Sequence, residues 1–244
     1  MRTYLITGAT GGIGGVIAQR LLEKGDRCAM VVREASKDVL LPVEKAYSET
    51  AICCCYDLAQ SDFGADLFRE LNERGFLPLD GFIHCAGVAP LMRVDENDAG
   101  VIKNTYQINL FSFLEIMKYF VREGNYKDGA AVAAISSVTA YRGSNRQAVY
   151  AGTKAALDAT VRCMAKELIP KKIRVNSVVS GVVETEMLCE LRKKSPGLDE
   201  KLKLTSPLGV IPPQEVLTAV EYLLSNAAEH ITGTSMALDS GFFL

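Results

Sequence analysis

Short apolar runs recur along the chain and alternate with stretches whose apolar positions fall three and four residues apart. An uninterrupted apolar run marks a strand buried on both faces, and the longer spacing marks an amphipathic helix. The runs are Thr3 to Thr7, Cys28 to Arg33, Ala51 to Tyr56, Gly81 to Cys85, Ala131 to Ser136, Arg174 to Val179 and Ser235 to Leu238. Strands interleaved with helices in this way predict a seven-stranded parallel sheet with helices on both faces, a doubly wound α/β fold. No Pro-, Gly- or Ser-rich linker and no internal repeat divides the pattern, so residues 1–244 are expected to form a single domain. Ligands in such folds bind beyond the carboxyl ends of the strands. That rule singles out Gly8, Arg33, Asp57, Ala86, Ser137 and Gly181.

The first run leads into Gly8-Ala9-Thr10-Gly11-Gly12-Ile13-Gly14, and a helical pattern follows at once with Val16, Ile17, Ala18, Leu21 and Leu22 on one face. A strand, a glycine-rich turn and a helix start make a site for a pyrophosphate: the backbone can approach closely, and the free amides and dipole favour negative charge. The spacing G-x-x-x-G-x-G over Gly8, Gly12 and Gly14 differs from the common G-x-G-x-x-G dinucleotide fingerprint but uses the same mechanism. Arg33 ends the second run, where an NAD-selective protein would place an acidic side chain against the ribose hydroxyls. Its guanidinium suits a 2′-phosphate, so NADP(H) is expected in preference to NAD(H). Asp57 follows the third run and is suited equally to an adenine amino group or to a helix N-cap.

Tyr150 and Lys154 share a helix face four residues apart, and Ser137 stands at the end of the fifth run. A tyrosine titrates near about 10, and bringing it near 7 takes roughly 4 kcal/mol. A cation about 4 Å away supplies roughly that much at an effective dielectric of about 20, which would make the phenol a usable acid and base. Among nine tyrosines such a spacing also arises by chance as a plain exposed pair, so its weight comes from its context.

Composition narrows the partners. The formal net charge is −2, with no basic footprint for nucleic acid and no polybasic membrane anchor. The apolar runs are far shorter than the roughly 20 residues that cross a bilayer. The chain opens directly on a strand, without the apolar block of a signal peptide, which predicts a cytoplasmic address. Seven cysteines, with Cys53, Cys54 and Cys55 adjacent and no C-x-x-C, do not form a disulfide framework. With only His84 and His230 available, far apart in sequence, no metal site is expected.

Taken together, these segments resemble the short-chain dehydrogenase/reductase family, in the compact branch typified by 3-oxoacyl-carrier-protein reductases, over nearly the whole chain. The resemblance rests on Thr7 to Gly14, Ala86-Gly87, Ile108-Asn109-Leu110, Ile135-Ser136-Ser137 and Tyr150-Ala151-Gly152-Thr153-Lys154. Ile173 to Ser177, Ser206-Pro207-Leu208-Gly209 and Ile231-Thr232-Gly233 agree. It implies a Rossmann-type fold and an NADP(H)-dependent oxidoreductase moving hydride between nicotinamide and a carbonyl or secondary alcohol, with a 3-oxoacyl thioester as one example. It assigns Tyr150 as proton donor and acceptor, Ser137 as the hydroxyl on the substrate carbonyl, Lys154 as the cation that lowers Tyr150 and meets the nicotinamide ribose, and Asn109 as the holder of a water. It also implies cofactor contacts at Gly8, Thr10, Gly12, Ile13, Gly14, Ala86, Gly87, Val183 and Thr185.

Three departures accompany it. His84-Cys85 stands where the family commonly has two asparagines, Ser180-Gly181 replaces Pro-Gly and should loosen the turn, and Gly11 lacks the basic side chain that NADP-preferring members often carry. The changes at Cys85 and Ser180 keep open a rival reading, a regulatory protein that senses NADP(H) without turnover. The resemblance further implies a mobile substrate-covering segment at about 186–206. Here Arg192, Lys193, Lys194, Lys201 and Lys203 form a basic patch that suits a phosphopantetheine thioester or an acidic carrier, or is a solvated helix face. The family also implies a homotetramer or homodimer, for which Phe111, Phe113, Leu114, Met117, Phe120, Leu157, Val161 and Met164 offer apolar surface, although simple core packing explains most of them.

Overall fold

The alternation of runs is realised in the computed structural model, which describes all 244 residues apart from the side chain of Lys194. In chain order the elements are β1 (Thr3–Thr7), α1 (Gly12–Glu23), β2 (Arg27–Val32), α2 (Lys37–Ala46), β3 (Ala51–Cys55), α3 (Gly64–Glu73), β4 (Leu79–His84), α4 (Ala99–Tyr106), α5 (Ser112–Phe120), β5 (Tyr126–Ser137), α6 (Ala148–Leu168), β6 (Arg174–Ser180), α7 (Glu186–Lys194), α8 (Leu198–Thr205), α9 (Pro213–Leu224) and β7 (Ser235–Leu238). The seven strands form one sheet in the order β3-β2-β1-β4-β5-β6-β7. All pairs are parallel. The order reverses between β1 and β4, and the crevice beyond their carboxyl ends is where such folds bind ligands.

Successive strand residues feed opposite cores. Leu5, Val31, Phe82, Val132 and Val175 pack with α3, α5 and α6, while Tyr4, Ile6, Met30, Ile83 and Val178 pack with α1, α2 and α9. Each fully buried large side chain contributes roughly 1.5–3 kcal/mol, which is why the strands read as continuous apolar runs.

Several boundaries differ from the sequence reading. Arg33 lies just past β2, as the residue preceding a short 3-10 turn at Glu34–Ser36. Ser137 is the last residue of β5, because pairing with β6 continues to Ser180. Helix α1 starts at Gly12, since the amides of a first turn need no intrahelical acceptor.

Of the apolar residues offered for a partner or for the core, Phe113, Met117, Phe120, Leu157 and Val161 belong to the core, whereas Phe111 stays 47% exposed. Leu114 and Met164 are half-buried against that core. Cys28, Cys53 and Cys54 are buried free thiols. Among the described residues no group of side chains could hold a metal ion, and no helix is long and apolar enough to cross a membrane.

Candidate active site

The glycine turn is fixed by close backbone packing. Gly8 has φ +72°, and a Cβ there would lie 2.8 Å from the amide nitrogen of Ala86. A Cβ on Gly14 would lie 2.3 Å from the carbonyl oxygen of Gly8, so α1 rests directly on the turn. No side chain caps the start of α1, and its first amides face the cleft free of intrahelical partners. On the other side of the crevice, Thr7 organises the end of β4. Its hydroxyl oxygen accepts from Ala86 N at 3.3 Å and pairs with His84 Nδ1 at 2.9 Å, while Cys85 N donates to Thr7 O. The support doubted for Cys85 therefore comes from Thr7. His84 is fully buried, and burial first, then the nearby Lys154 charge, lowers its pKa to about 3. A neutral ring that takes the Thr7 hydroxyl proton on Nδ1 carries its own proton on Nε2.

Two expected nucleotide contacts lie away from the glycine turn. The Arg33 side chain is exposed and makes no hydrogen bond or ion pair among the described residues. Asp57 accepts from Ala59 N at 3.0 Å through Oδ1, a local turn contact that occupies one of its oxygens.

The candidate catalytic side chains converge at the ends of β5 and α6. Ser137 is buried, and its hydroxyl oxygen accepts from Thr139 N at 3.3 Å and Thr139 Oγ1 at 3.1 Å. Tyr150 is half-buried one turn before Lys154, whose Nζ sits 5.8 Å from the Tyr150 ring centroid. Lys154 is buried and donates to the Ile135 carbonyl at 2.7 Å. Burial pulls its pKa down to about 8.

Burial raises the pKa of Tyr150 and a hydrogen bond with Ser137 opposes that rise, while the Lys154 ammonium is bonded to the Ile135 carbonyl. The Asn109 side chain accepts from Val88 N at 2.8 Å and donates to Val88 O and Thr153 Oγ1, tying the π-turn Gln107–Phe111 to the segment after β4 and to α6. Gly87 lies between Asn109 and Lys154, where a Cβ would be 3.5 Å from both.

A cleft of about 850 Å³ gathers Gly8, Thr10, Gly12, Ile13, Gly14, Ala86, Gly87, Ser137, Tyr150, Lys154, Val183 and Thr185. Arg33, Asp57 and Asn109 do not line it. Val183 is pinned by a bridge to Ile211, and Thr185 Oγ1 donates to Val183 O at 3.3 Å. The turn at Ser180-Gly181, expected to be loose, is held by Ser180 Oγ on Ser136 O and by Gly181 N on Leu238 O.

Residues 186–206 form α7 and α8, which lay Leu188, Leu191, Leu198 and Leu202 on the cleft. Two members of the expected basic patch, Arg192 and Lys193, are paired. Arg192 bonds Glu184 through both terminal nitrogens and Asp199 through Nε, and Lys193 bonds Glu190. Lys201 lines the cleft, and the Lys194 side chain lies outside the described residues.

Residues that the sequence reading missed include Asp158, buried behind Lys154, and Phe242, which lines the cleft while Arg142 donates to its carbonyl. Thr139 bonds the Ser137 hydroxyl oxygen, and its place two residues after a serine is the signal that was available.

Comparison with known proteins shows the family and the fold. Residues 8–243 match the family model described as enoyl-(acyl carrier protein) reductase. The chain is 31% identical to versicolorin reductase 1 of Aspergillus parasiticus, covering 99% of this chain and 96% of that protein. It is 29% identical to the 3-oxoacyl-[acyl-carrier-protein] reductase of Homo sapiens, covering 98% and 97%. The structure of 4-hydroxyisoleucine dehydrogenase complexed with NADH superposes with a TM-score of 0.87 at 26% identity over 98% of each chain. The glycine turn, the parallel sheet and the paired tyrosine and lysine thus sit in a member of the short-chain dehydrogenase/reductase family, oxidoreductases that use a nicotinamide cofactor on alcohol and carbonyl groups.

Proposed function

We propose that the chain is an NADP(H)-dependent reductase of ketones, or dehydrogenase of the matching secondary alcohols. The observation that carries this reading is the convergence of Ser137, Tyr150 and Lys154 in one cleft with the glycine turn. The residues fit a dinucleotide: Gly8 and Gly14 leave no room for a Cβ, the first amides of α1 are uncapped, and Thr185 stands beside Gly12. When bound, a reduced nicotinamide supplies the hydride.

The chain's own groups manage the carbonyl oxygen. Ser137 accepts two bonds from Thr139, so its proton is free to point at a substrate oxygen and polarise it. Tyr150, raised by burial, is protonated at neutral pH and can give its proton to the developing alkoxide. Lys154, charged below about 8, holds a positive potential behind both hydroxyls. In the dehydrogenase direction the same phenol oxygen takes the proton back.

The preference for NADP(H) rests on Arg33, an unpaired guanidinium one residue beyond β2. The leucines of α7 and α8 with Phe242 support a substrate that carries an apolar group, such as a 3-oxoacyl thioester or an aromatic ketone. The pairing of Arg192 and Lys193 leaves less free charge for an acidic carrier protein than the sequence suggested. The exposed Phe111 supports self-association into a dimer or tetramer, which a monomeric mass in sedimentation would contradict. No observation favours the silent sensor, because Thr7 and Ser180 support the altered positions.

The test is NADPH oxidation, followed by absorbance, across acetoacetyl thioesters, diketones and aryl ketones. Turnover of one class with NADPH in preference to NADH is expected. Tight NADPH binding with no turnover across the panel would contradict the reductase reading.

A further inference from the structure

The reacting groups on α6 lie along one face, and the next position on that face is Asp158, four residues past Lys154. It is only 1% exposed. A charged group survives such burial when it is paired and hydrogen-bonded. Both carboxylate oxygens are engaged: Oδ2 accepts from Ser136 Oγ at 2.8 Å and Oδ1 accepts from Ser177 Oγ at 2.6 Å. Ser177 Oγ lies 3.2 Å from Ser235 Oγ. One side chain of α6 thus grips β5 and β6, and through Ser177 it reaches β7. Two hydroxyl donors at these short distances match an ionised carboxylate acting only as acceptor.

The grip falls next to the reacting serine. Lys154 holds the carbonyl of Ile135, Asp158 holds the hydroxyl of Ser136, and Ser137 follows in the cleft. The carbonyl of Ser136 is taken by Ser180 Oγ at 3.3 Å. The strand end is therefore fixed from the helix side and from the neighbouring strand.

We propose that Asp158 is a positioning residue of this site: it is the standing counter-charge of the Lys154 ammonium and the clamp that sets the strand end carrying Ser137. This rests on the reading of Ser137, Tyr150 and Lys154 as the reacting groups.

The titratable groups facing Lys154 are Tyr150 and Asp158 from its own helix, His84 from β4, and Cys85 just beyond that strand. Burial lowers Lys154 to about 8, while Cys85 and Asp158 act in the opposite direction. Cys85 is itself pushed up to about 12 by burial, so it is a neutral thiol while the lysine titrates. His84 is uncharged over that range, and burial keeps Tyr150 protonated. That leaves the Asp158 carboxylate as the anion supporting the lysine's charge.

The experiment titrates Lys154 by NMR in protein labelled with 13C-lysine, its signal assigned through Lys154→Arg, in wild type and Asp158→Asn. Asparagine has the same shape and can still pair with both serines, accepting from one hydroxyl and donating to the other. The Lys154 midpoint is expected to fall by about half a pH unit or more in Asp158→Asn and to return in Asp158→Glu, which keeps the charge. An unchanged or raised midpoint in the asparagine variant overturns the proposal. Asp158→Ser, read the same way, replaces it if the asparagine variant fails to fold. The same samples are assayed for kcat against pH with a ketone that wild type reduces. The alkaline fall in kcat should move down with the lysine midpoint while NADPH affinity at pH 7 stays within about twofold. An alkaline fall that stays in place overturns the positioning role. A wild type that reduces nothing overturns the reductase reading instead, and the lysine titration still decides the claim about Asp158.

Discussion

The hydroxyl oxygen of Ser137 accepts two hydrogen bonds from Thr139, one from the backbone amide at 3.3 Å and one from Oγ1 at 3.1 Å. Both acceptor positions of the serine are filled, so its proton is the part left for a substrate. Thr139→Val removes one of these bonds and keeps the side-chain shape. It is expected to lower kcat by about three- to tenfold, since a neutral hydrogen bond contributes roughly 0.5–1.5 kcal/mol, whereas Ser137→Ala should cost on the order of 10²-fold or more. Steady-state kinetics of the two variants checks this, and equal losses would contradict the ordering.

Arg33 has no partner among the described residues and stands at the end of β2. Arg33→Asp is expected to weaken NADPH by about 100-fold, through loss of a charge-assisted contact and gain of repulsion, and to leave NADH within a few-fold. Fluorescence titration with both cofactors distinguishes this from a general loss of the nucleotide site, in which the two affinities would fall together.

Lys154 links site chemistry to stability. Its folded pKa of about 8 lies below the roughly 10.4 of an unfolded lysine. Below pH 8 both states carry the charge and the folded state bears the full cost of burying it. Between about 8 and 10.4 the folded state has released its proton while the unfolded chain still binds it, so stability rises with pH; above that window the dependence ends. Wild type is therefore expected to gain on the order of 2–3 kcal/mol relative to Lys154→Met across this interval. Denaturant titrations of both proteins at pH 7 and pH 10 measure the difference, and parallel profiles would contradict it.

Gly14 has no room for a side chain, because a Cβ would stand 2.3 Å from the Gly8 carbonyl oxygen. Gly14→Ala is expected to destabilise the fold by about 3 kcal/mol and to weaken both cofactors, because α1 must move off the turn. Gly25, whose Cβ would meet nothing within 4 Å, provides the comparison: its φ of +80° makes Gly25→Ala a strain on one turn, with cofactor affinity unchanged. Thermal melts with NADPH titrations separate the two variants.

The parts of this molecule visible in the sequence are those whose physics is local. Gly8 to Gly14 announce a turn because only glycine permits the packing, and Tyr150 with Lys154 announce a shared face through the helix period. The apolar runs gave the strands because both faces of the sheet are covered. Their ends were less clear, since pairing of Ser137 with Ser180 is decided by the neighbouring strand. Asp158 carries no sign of its partners in the sequence, because Ser136 and Ser177 reach it only through the fold, although its spacing from Lys154 puts it on the same face. The positive charges near Arg192 looked free for the same reason, as Glu184 and Asp199 become partners only when the segment folds back. Phe242 lies in a tail without periodicity, and its place in the cleft is set by Arg142 and by the packing of Gly241 on Pro207.

The most direct measurement is the turnover of Tyr150→Phe with its NADPH affinity, on a ketone that wild type reduces. Phenylalanine keeps the ring that Lys154 packs beside and removes only the phenol oxygen. The account predicts a kcat lower by about 10³-fold or more with NADPH affinity within a few-fold of wild type, because the proton donor alone is lost. A variant that binds NADPH and reduces the ketone at near the wild-type rate would contradict it.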